Sequence, residues 1–540
     1  MGRFGRGFLV VLLVLVLTLL VGCGQEEVTE EEQQGEGTKS EKVVFTYLEG
    51  QVIGTIDPAK HVDESSLHAV INLYDPLLFP KIEEGSMEPG PHVARDWEVS
   101  PDGKTYTFYL RDDIKFHNGD LLTAEDVKFS MDRNLALKKG FSWLWQGVVK
   151  ETEVIDEHTV AFHLEQPYAP FLSTLIQLFI VNKDEVLAQK QDGEFGEFGD
   201  YGQAYLENNE VGSGPYKMKS WNRGSEFVFE KFEDYWKGWE PGQIDEVHYK
   251  IVLEEATKKT MLKSGEADMA DQWMSIESFE ELEKTPGVVV DKAPSVQLFH
   301  LPIHTQKPPT DNIHVRRAIA WAFDYETANE IMGGVQAQGP VPNLAWGHKD
   351  DVFVFHRDLD KARQELAESG YKPGEIKLQY VYASSVPVER KIGLLLKSNL
   401  EEIGIEVEII PEPWARMTEM AASKETTPHF MAIYDTLKYP HADSHTYGLY
   451  HPDSHGSYRS TAWLDVPEIT QTLEAARRAV DPAEQLELYK KVQELVVEQV
   501  PSIYVTNPMH RIAYRDYVEG YTFVGLLGYD LWFPSFRINK

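Results

Sequence analysis

Cysteine occurs once in the 540 residues, at Cys23. A single thiol excludes an intramolecular disulfide framework and a multi-thiolate metal centre. Long apolar runs are scarce as well. The stretch Phe8 to Val21, Phe, Leu and Val with a single Thr, holds about 14 residues, short of the roughly 20 that a bilayer-spanning helix needs. Cations are in the minority, 52 Lys and Arg against 87 Asp and Glu, for a net charge of −35. That balance excludes nucleic acid as a natural partner; the acidity fits solubility or adaptation to salt or alkali. Catalytic signatures are missing too: no GxSxG elbow, HExxH pair, P-loop or CxxC is present. The glycine-rich GSGPY at 212–216 lacks the strand–GxGxxG–helix setting, and Pro215 removes an N–H that a phosphate cradle would use. The chain is not expected to be an enzyme.

What is present begins at the N-terminus. Arg3 and Arg6 precede the apolar run, and Leu20-Val21-Gly22-Cys23 closes it with a small residue before the Cys. This is the layout of a secretory signal, and LVGC resembles the lipobox of bacterial lipoproteins. The resemblance implies a signal peptide over 1–22, cleavage before Cys23 and diacylglycerol on its thiol, since paired acyl chains hold a protein on a bilayer stably. Residues 25–42, QEEVTEEEQQGEGTKSEK, have no aromatic residue and cannot bury enough apolar surface to order themselves. They predict an acidic flexible linker over 23–42.

Beyond the linker, strand and helix signals alternate. VVFTYL (43–48) is β-rich, and Ser65 is expected to cap a helix carrying Leu67, Val70, Ile71 and Tyr74 at helical spacing. WEVSPDGKTYTFYLR (97–111) reads as a hairpin turning at Pro101-Asp102-Gly103, with Tyr106, Phe108 and Leu110 on one face. Thr123-x-x-Asp126 resembles a capping box, with Asp where Glu is usual. Further on, IKLQYVY (376–382), a helical pattern through Ile392, Leu396, Leu400 and Ile403, and IEVEII (405–410) predict a right-handed strand–helix–strand unit. Helices are expected near 467–480 and 482–499, then a strand at 503–506. The fold class is α/β with mixed sheets in more than one lobe.

Several segments together resemble family 5 of the solute-binding proteins of bacterial ABC importers, which includes oligopeptide, dipeptide and nickel binders. They are ARDWEVSPDGKTYTFYLRDDIKFHNGDLLTAEDVKFSMDR (94–133), VGSGPYKMKSW with FEDYWKG (211–238), VRRAIAWAFDYE (315–326), QGPVPNLAW (338–346) and the C-terminal PSIYV and GYDLWFPSF. The resemblance implies a periplasmic-binding-protein-like clamshell of two lobes (class II) with an extra third domain. Lobe I would comprise 43–79, 186–300 and 510–540, the extra domain 80–185, and lobe II 301–509, with hinge crossings near 297–301 and 505–511. It implies a monomer on the extracytoplasmic face of the membrane, held by its lipid, without a cofactor. Such a protein closes on a small organic solute and delivers it to an ABC permease. Two other cargoes on the same fold, an oligosaccharide or a metal or haem complex, and a surface peptide-sensing receptor stay open.

Candidate ligand contacts follow from position. Trp414 and Arg416 sit just past the strand 405–410, where ligands gather in open α/β sheets. Trp143 and Trp145 lie where related peptide binders offer aromatic contacts. In the segment 432–455, peptide-binding relatives carry an Asp that receives the ligand's α-ammonium, and aligning on Tyr439-Pro440 puts Lys438 there. A lysine repels an ammonium; Asp435 or Asp443 could take over, and His441 adds a polar loop contact. His441 and His445 have the i,i+4 spacing of a helical metal pair, the weaker alternative for this cluster.

Overall fold

The computed structural model describes residues 42–540. The expected signal peptide 1–22, the expected lipid-attachment residue Cys23 and nearly all of the expected linker 23–42 lie outside the described residues. Among the described residues, no helix is long and apolar enough to cross a membrane.

The first lobe is built on the strand Val44–Glu49, which runs parallel to Glu246–Ile251 on one side and to Met269–Ala270 on the other. Antiparallel strands Glu226–Lys231 and Tyr216–Asn222 extend the sheet. Phe45 and Tyr47, two apart, both point into the core, as the period of a pleated strand requires. The helix Glu64–Leu73 follows. Its N-cap is Asp63, not Ser65: the Asp63 carboxylate accepts the Ser66 N–H at 2.9 Å. Ser65 falls inside the first turn and spends its hydroxyl on the Val52 carbonyl at 3.0 Å. Two residues of one type compete for a cap, and the one whose backbone is still extended wins. At the far end of this helix, Gly214 donates its N–H to the Leu73 carbonyl at 3.0 Å, and Gly212 lies against the same oxygen. GSGPY is therefore a close-packing device between strand and helix.

The extra domain is a four-stranded antiparallel sheet in the order Ala94–Val99, Thr105–Leu110, Thr159–Leu164, Val149–Asp156. Tyr106, Phe108 and Leu110 are buried, and Gly103 makes the turn with φ +66°. The helix Ala124–Leu137 packs on the sheet. The Asp126 carboxylate accepts both the backbone N–H and the hydroxyl of Thr123 at 2.9 Å, so the shorter Asp serves the capping box.

In the second lobe Ile376–Ala383 and Ile405–Glu412 pair in parallel through the helix Pro387–Glu401. Both lobes share one long strand, Ser502–Arg515. Its first half pairs with Leu298–Pro302 and Gly334–Gln336, its second half with Val288–Pro294 and Met269–Ala270. The helices Pro467–Arg478 and Pro482–Glu498 arise as expected. Their apolar residues join the core of the first lobe and the extra domain, not the cluster around Ile376–Ala383.

Gly212→Ala is expected to lower unfolding stability by about 2 kcal/mol or more, because a Cβ there collides with the Leu73 carbonyl oxygen and backbone must shift to admit it. Urea unfolding of the variant beside the parent protein measures this.

Candidate functional site

The strand Ile433–Asp435 pairs with Leu298–Pro302 and ends in a fully buried carboxylate. Arg459, from the turn Tyr458–Ser460, grips Asp435 with Nε at 2.8 Å and Nη2 at 2.6 Å. Lys438 Nζ lies 3.1 Å from the same carboxylate and donates to the Thr436 carbonyl at 2.9 Å. His445 approaches the carboxylate at 3.4 Å. Gly448, on the helix Ala442–Tyr450, leaves the space that the Arg459 guanidinium fills. Burial alone would raise the Asp435 pKa; Arg459 and Lys438 overcome it and hold the carboxyl far below its usual range. Burial pulls Lys438 down to about 8 against the attraction of Asp435, and His445 down to about 4, so that imidazole is neutral. One carboxylate thus faces two cations, and one positive charge is left over.

Asp443 is committed in a similar way. Its carboxylate accepts from Tyr439 at 2.6 Å, Tyr489 at 2.7 Å and Tyr168 at 3.1 Å, and Arg477 Nε lies 3.4 Å away. The Arg477 guanidinium also covers the faces of Tyr447 and Tyr168 at 3.8 and 4.6 Å. This cluster ties the second lobe to Tyr168 of the extra domain.

Across from Lys438, the first lobe presents acid. Both oxygens of Glu64 accept from Gln272 at 3.1 Å. Gln272 contacts Gln297 at 3.2 Å, and Gln297 reaches Thr436 of the second lobe at 3.1 Å. On the other side Gln272 meets His510 at 3.2 Å, His510 meets Tyr521 at 2.7 Å, and Tyr521 donates to Asp530 at 3.3 Å. Burial, and then the neighbouring Asp530 charge, push the Glu64 carboxyl up to about 8; burial also raises Asp530. Each of Glu64 and Lys438 feels the other's charge.

The lobes touch. Trp414 Nε1 donates to Asp63 at 3.3 Å, Tyr458 OH to the Val62 carbonyl at 3.3 Å, and Lys391 to Glu277 at 2.7 Å. Trp273 meets Tyr434 edge-on at 5.2 Å. A cavity of about 750 Å³ opens beside these contacts, lined by Val62, Lys138, Trp143, Thr418, His455 and Tyr458. All three parts of the molecule contribute to that wall. Another cavity, of about 760 Å³, runs along Trp236, Lys237, Tyr529 and Trp532. No residue of the second lobe lines it, so closure could not seal it.

The sequence-derived candidates fall in different places. Trp143 lines the cavity wall and stacks on Tyr447 at 5.8 Å. Trp145 is wholly buried and donates to Thr174 at 3.1 Å, which makes it core. Trp414 spans the lobe contact. Arg416, two residues on, is exposed and pairs with Glu419 at 2.9 Å. Asp435 and Asp443 are both neutralised by protein partners. His441 and His445 do not make the expected helical pair. The helix starts at Ala442, so His441 is its N-cap, with extended backbone and Nδ1 accepting the Asp443 N–H at 3.1 Å, while His445 turns to Asp435. Glu64, Asp530, Arg459 and Arg477 were not singled out in the sequence. No motif marks them, and only the tertiary fold brings them together.

The family model for bacterial extracellular solute-binding proteins, family 5, matches residues 88–457. The chain belongs to this family. Among family 5 relatives, the probable D,D-dipeptide-binding periplasmic protein of Escherichia coli is 28% identical over 88% of this chain and 90% of its own. The heme-binding protein A of Haemophilus influenzae is 25% identical over 95% and 96%. The periplasmic binding protein DppA of Helicobacter pylori, solved with the peptide STSA, superposes with a TM-score of 0.82 at 26% identity, covering 92% of this chain and 98% of its own. The family 5 fold is thus a two-lobed clamshell with an extra domain here too, and the protein is an extracytoplasmic solute-binding component of an ABC importer.

Asp435→Asn is expected to cost about 3–5 kcal/mol in denaturant unfolding, because it leaves Arg459 and Lys438 buried without their shared anion. Glu64 predicts the opposite sign. Folded, it keeps its proton up to about pH 8, whereas the unfolded chain releases it near its ordinary value of 4.5. Stability from this group therefore falls as pH rises from about 4.5 to 8. Glu64→Gln should raise the thermal midpoint of ligand-free protein at pH 8 by a few degrees and leave it nearly unchanged at pH 4, as calorimetry at the two pH values reports.

Proposed function

We propose that the cargo is a short peptide, captured by closure of the two lobes and released to the permease chemically unaltered. The observation that carries this reading is the polar arrangement at the lobe junction, where the carboxyl groups of Glu64 and Asp530 from the first lobe face a net positive cluster from the second. A solute with separated charges satisfies both sides only when the lobes have met, so its binding energy is spent on closure. Moving an open-to-closed ratio from about 1:99 to 99:1 takes about 5.5 kcal/mol of preference for the closed form. Relatives named for dipeptides and a neighbour holding STSA support the peptide class. An oligosaccharide fits less well, since Trp143 already lies on Tyr447 and Trp414 against Tyr458.

In this reading the moving bodies are the segments 43–79 with 186–300 and 510–540 against 301–509, with 80–185 riding on the first, and the helices Pro467–Arg478 and Pro482–Glu498 carry the apolar contact between them. Within the long strand, the hinge falls near residues 505–511, where its partners change from one lobe's strands to the other's. In this reading the mature protein is a monomer tethered through Cys23 that delivers its cargo to a permease.

Thermal-shift screening of peptides, oligosaccharides and divalent metals tests the cargo. A peptide at 100 times its Kd should add about 2.7 kcal/mol of stability, at one ligand per chain and with no product formed; stabilisation by sugars or metals alone overturns the peptide reading. Cys23→Ala should move the protein from the membrane to the soluble fraction, and membrane retention of the variant would remove the lipid anchor.

A further inference from the structure

The helix Glu64–Leu73 places Glu64 and His68 four residues apart, on one face. Asp530, from the turn Tyr529–Leu531, closes on them: one oxygen of each carboxylate and a ring nitrogen of His68 lie within 4.8 Å of one another. His68 is 3% exposed. Its Nδ1 bonds the Tyr249 hydroxyl at 3.0 Å, and that hydroxyl donates to Glu49 at 3.0 Å. Nδ1 is thus engaged, and Nε2 is buried and without a hydrogen-bond partner among the described residues. Burial keeps the ring neutral, its pKa near 3. Buried polar atoms without partners are costly and rare. Here His68 Nε2 and two carboxyl groups share one place; Gln272 donates to Glu64 and Tyr521 to Asp530, while nothing among the described residues meets His68 Nε2.

We infer that Glu64, His68 and Asp530 form an ammonium pocket in the first lobe, so that a peptide lies with its N-terminus on this lobe and its carboxylate toward Lys438 of the second. The inference rests on the peptide reading above and deepens it. An –NH3⁺ group carries three donors, and the pocket offers it one acceptor atom from each of Glu64, His68 and Asp530. Lys438 spends two of its three donors, on Asp435 and Thr436, and forms no ion pair with Glu64 although each feels the other's charge. The third donor and the surplus positive charge suit an anion. This arrangement is compatible with a lysine at the position where the peptide-binding resemblance leads one to expect an acid, since the carboxyl groups stand on the opposite wall.

Calorimetric titration of the purified protein with free di- and tripeptides, their Nα-acetyl forms and their C-terminal amides tests the orientation. For a free peptide that binds, acetylation should weaken affinity by about 100-fold, a comparison that needs no variant. Glu64→Gln and Asp530→Asn should each weaken the free peptide by about 10- to 100-fold while changing the acetylated form less than about threefold. Lys438→Met should weaken the free acid and spare the amide. Equal binding of free and acetylated peptide, or unchanged affinity in both carboxylate variants, overturns the pocket and leaves the peptide reading standing. Peptide binding that is lost in chelator and restored by Zn²⁺ overturns it in favour of a metal. Absence of binding by every peptide overturns the pocket together with the peptide reading.

Discussion

The bidentate grip of Arg459 on Asp435 sets the electrostatics of the whole junction. Two charges taken out of water cost several kcal/mol each unless the geometry repays them. Here the guanidinium plane meets both carboxylate oxygens at 2.6 and 2.8 Å, in the space that Gly448 leaves open. Once Arg459 has neutralised Asp435, Lys438 enters the same site as an excess cation. The lysine remains buried because Asp435 and the Thr436 carbonyl still hold it, and it also feels the charge of Glu64. Remove the arginine, and Lys438 and Asp435 collapse into a private ion pair with nothing to offer across the cleft. The pair therefore does more than stabilise: it determines the sign of the charge that the second lobe shows to the first.

The remaining polar contacts divide into those that lock the closed arrangement and those that leave work for a ligand. Trp414 with Asp63, Tyr458 with Val62 and Lys391 with Glu277 are pairings between lobes in which every named donor has an acceptor. They are partly solvated and worth on the order of 1 kcal/mol each, and they stand beside the buried Tyr168–Asp443 bond and the Gln297–Thr436 bond, which also cross to the second lobe. Glu64, Asp530 and His68 are the converse, three acceptor groups gathered at one place, of which His68 Nε2 has no partner among the described residues. A clamshell needs both kinds, since fully satisfied lobes would close empty and wholly unsatisfied ones would never meet.

Local signals in the sequence were legible where the chemistry is local. The hairpin at 97–111, the capping box at Thr123 and Asp126, and the strand–helix–strand unit at 376–410 depend on residues within a few positions of each other, and each forms as expected. The helix cap went to Asp63 instead of Ser65 because both residue types fit, and only the path of the preceding loop separates them. The histidine pair failed for a related reason: periodicity gives spacing, and it does not say that a helix begins between its members. The acidic wall was invisible. Glu64 and Asp530 stand near opposite ends of the chain, among 87 carboxylates, and their meeting is written only in the order of strands around Val44–Glu49.

Lys438 shows how far a departure from a family pattern can be read. From the sequence it argues against a free-amine ligand, because an ammonium cannot approach a lysine. In the fold, the same lysine accompanies two acids on the facing wall, and Asp435 and Asp443, the nearby carboxylates that might have substituted, are both consumed, one by Arg459 and the other by three tyrosines. Repulsion at one wall then favours a solute turned end for end over a different class of solute. With a lysine on one wall and carboxyl groups on the other, the attraction between the walls depends on the product of their charges and not on which wall is negative.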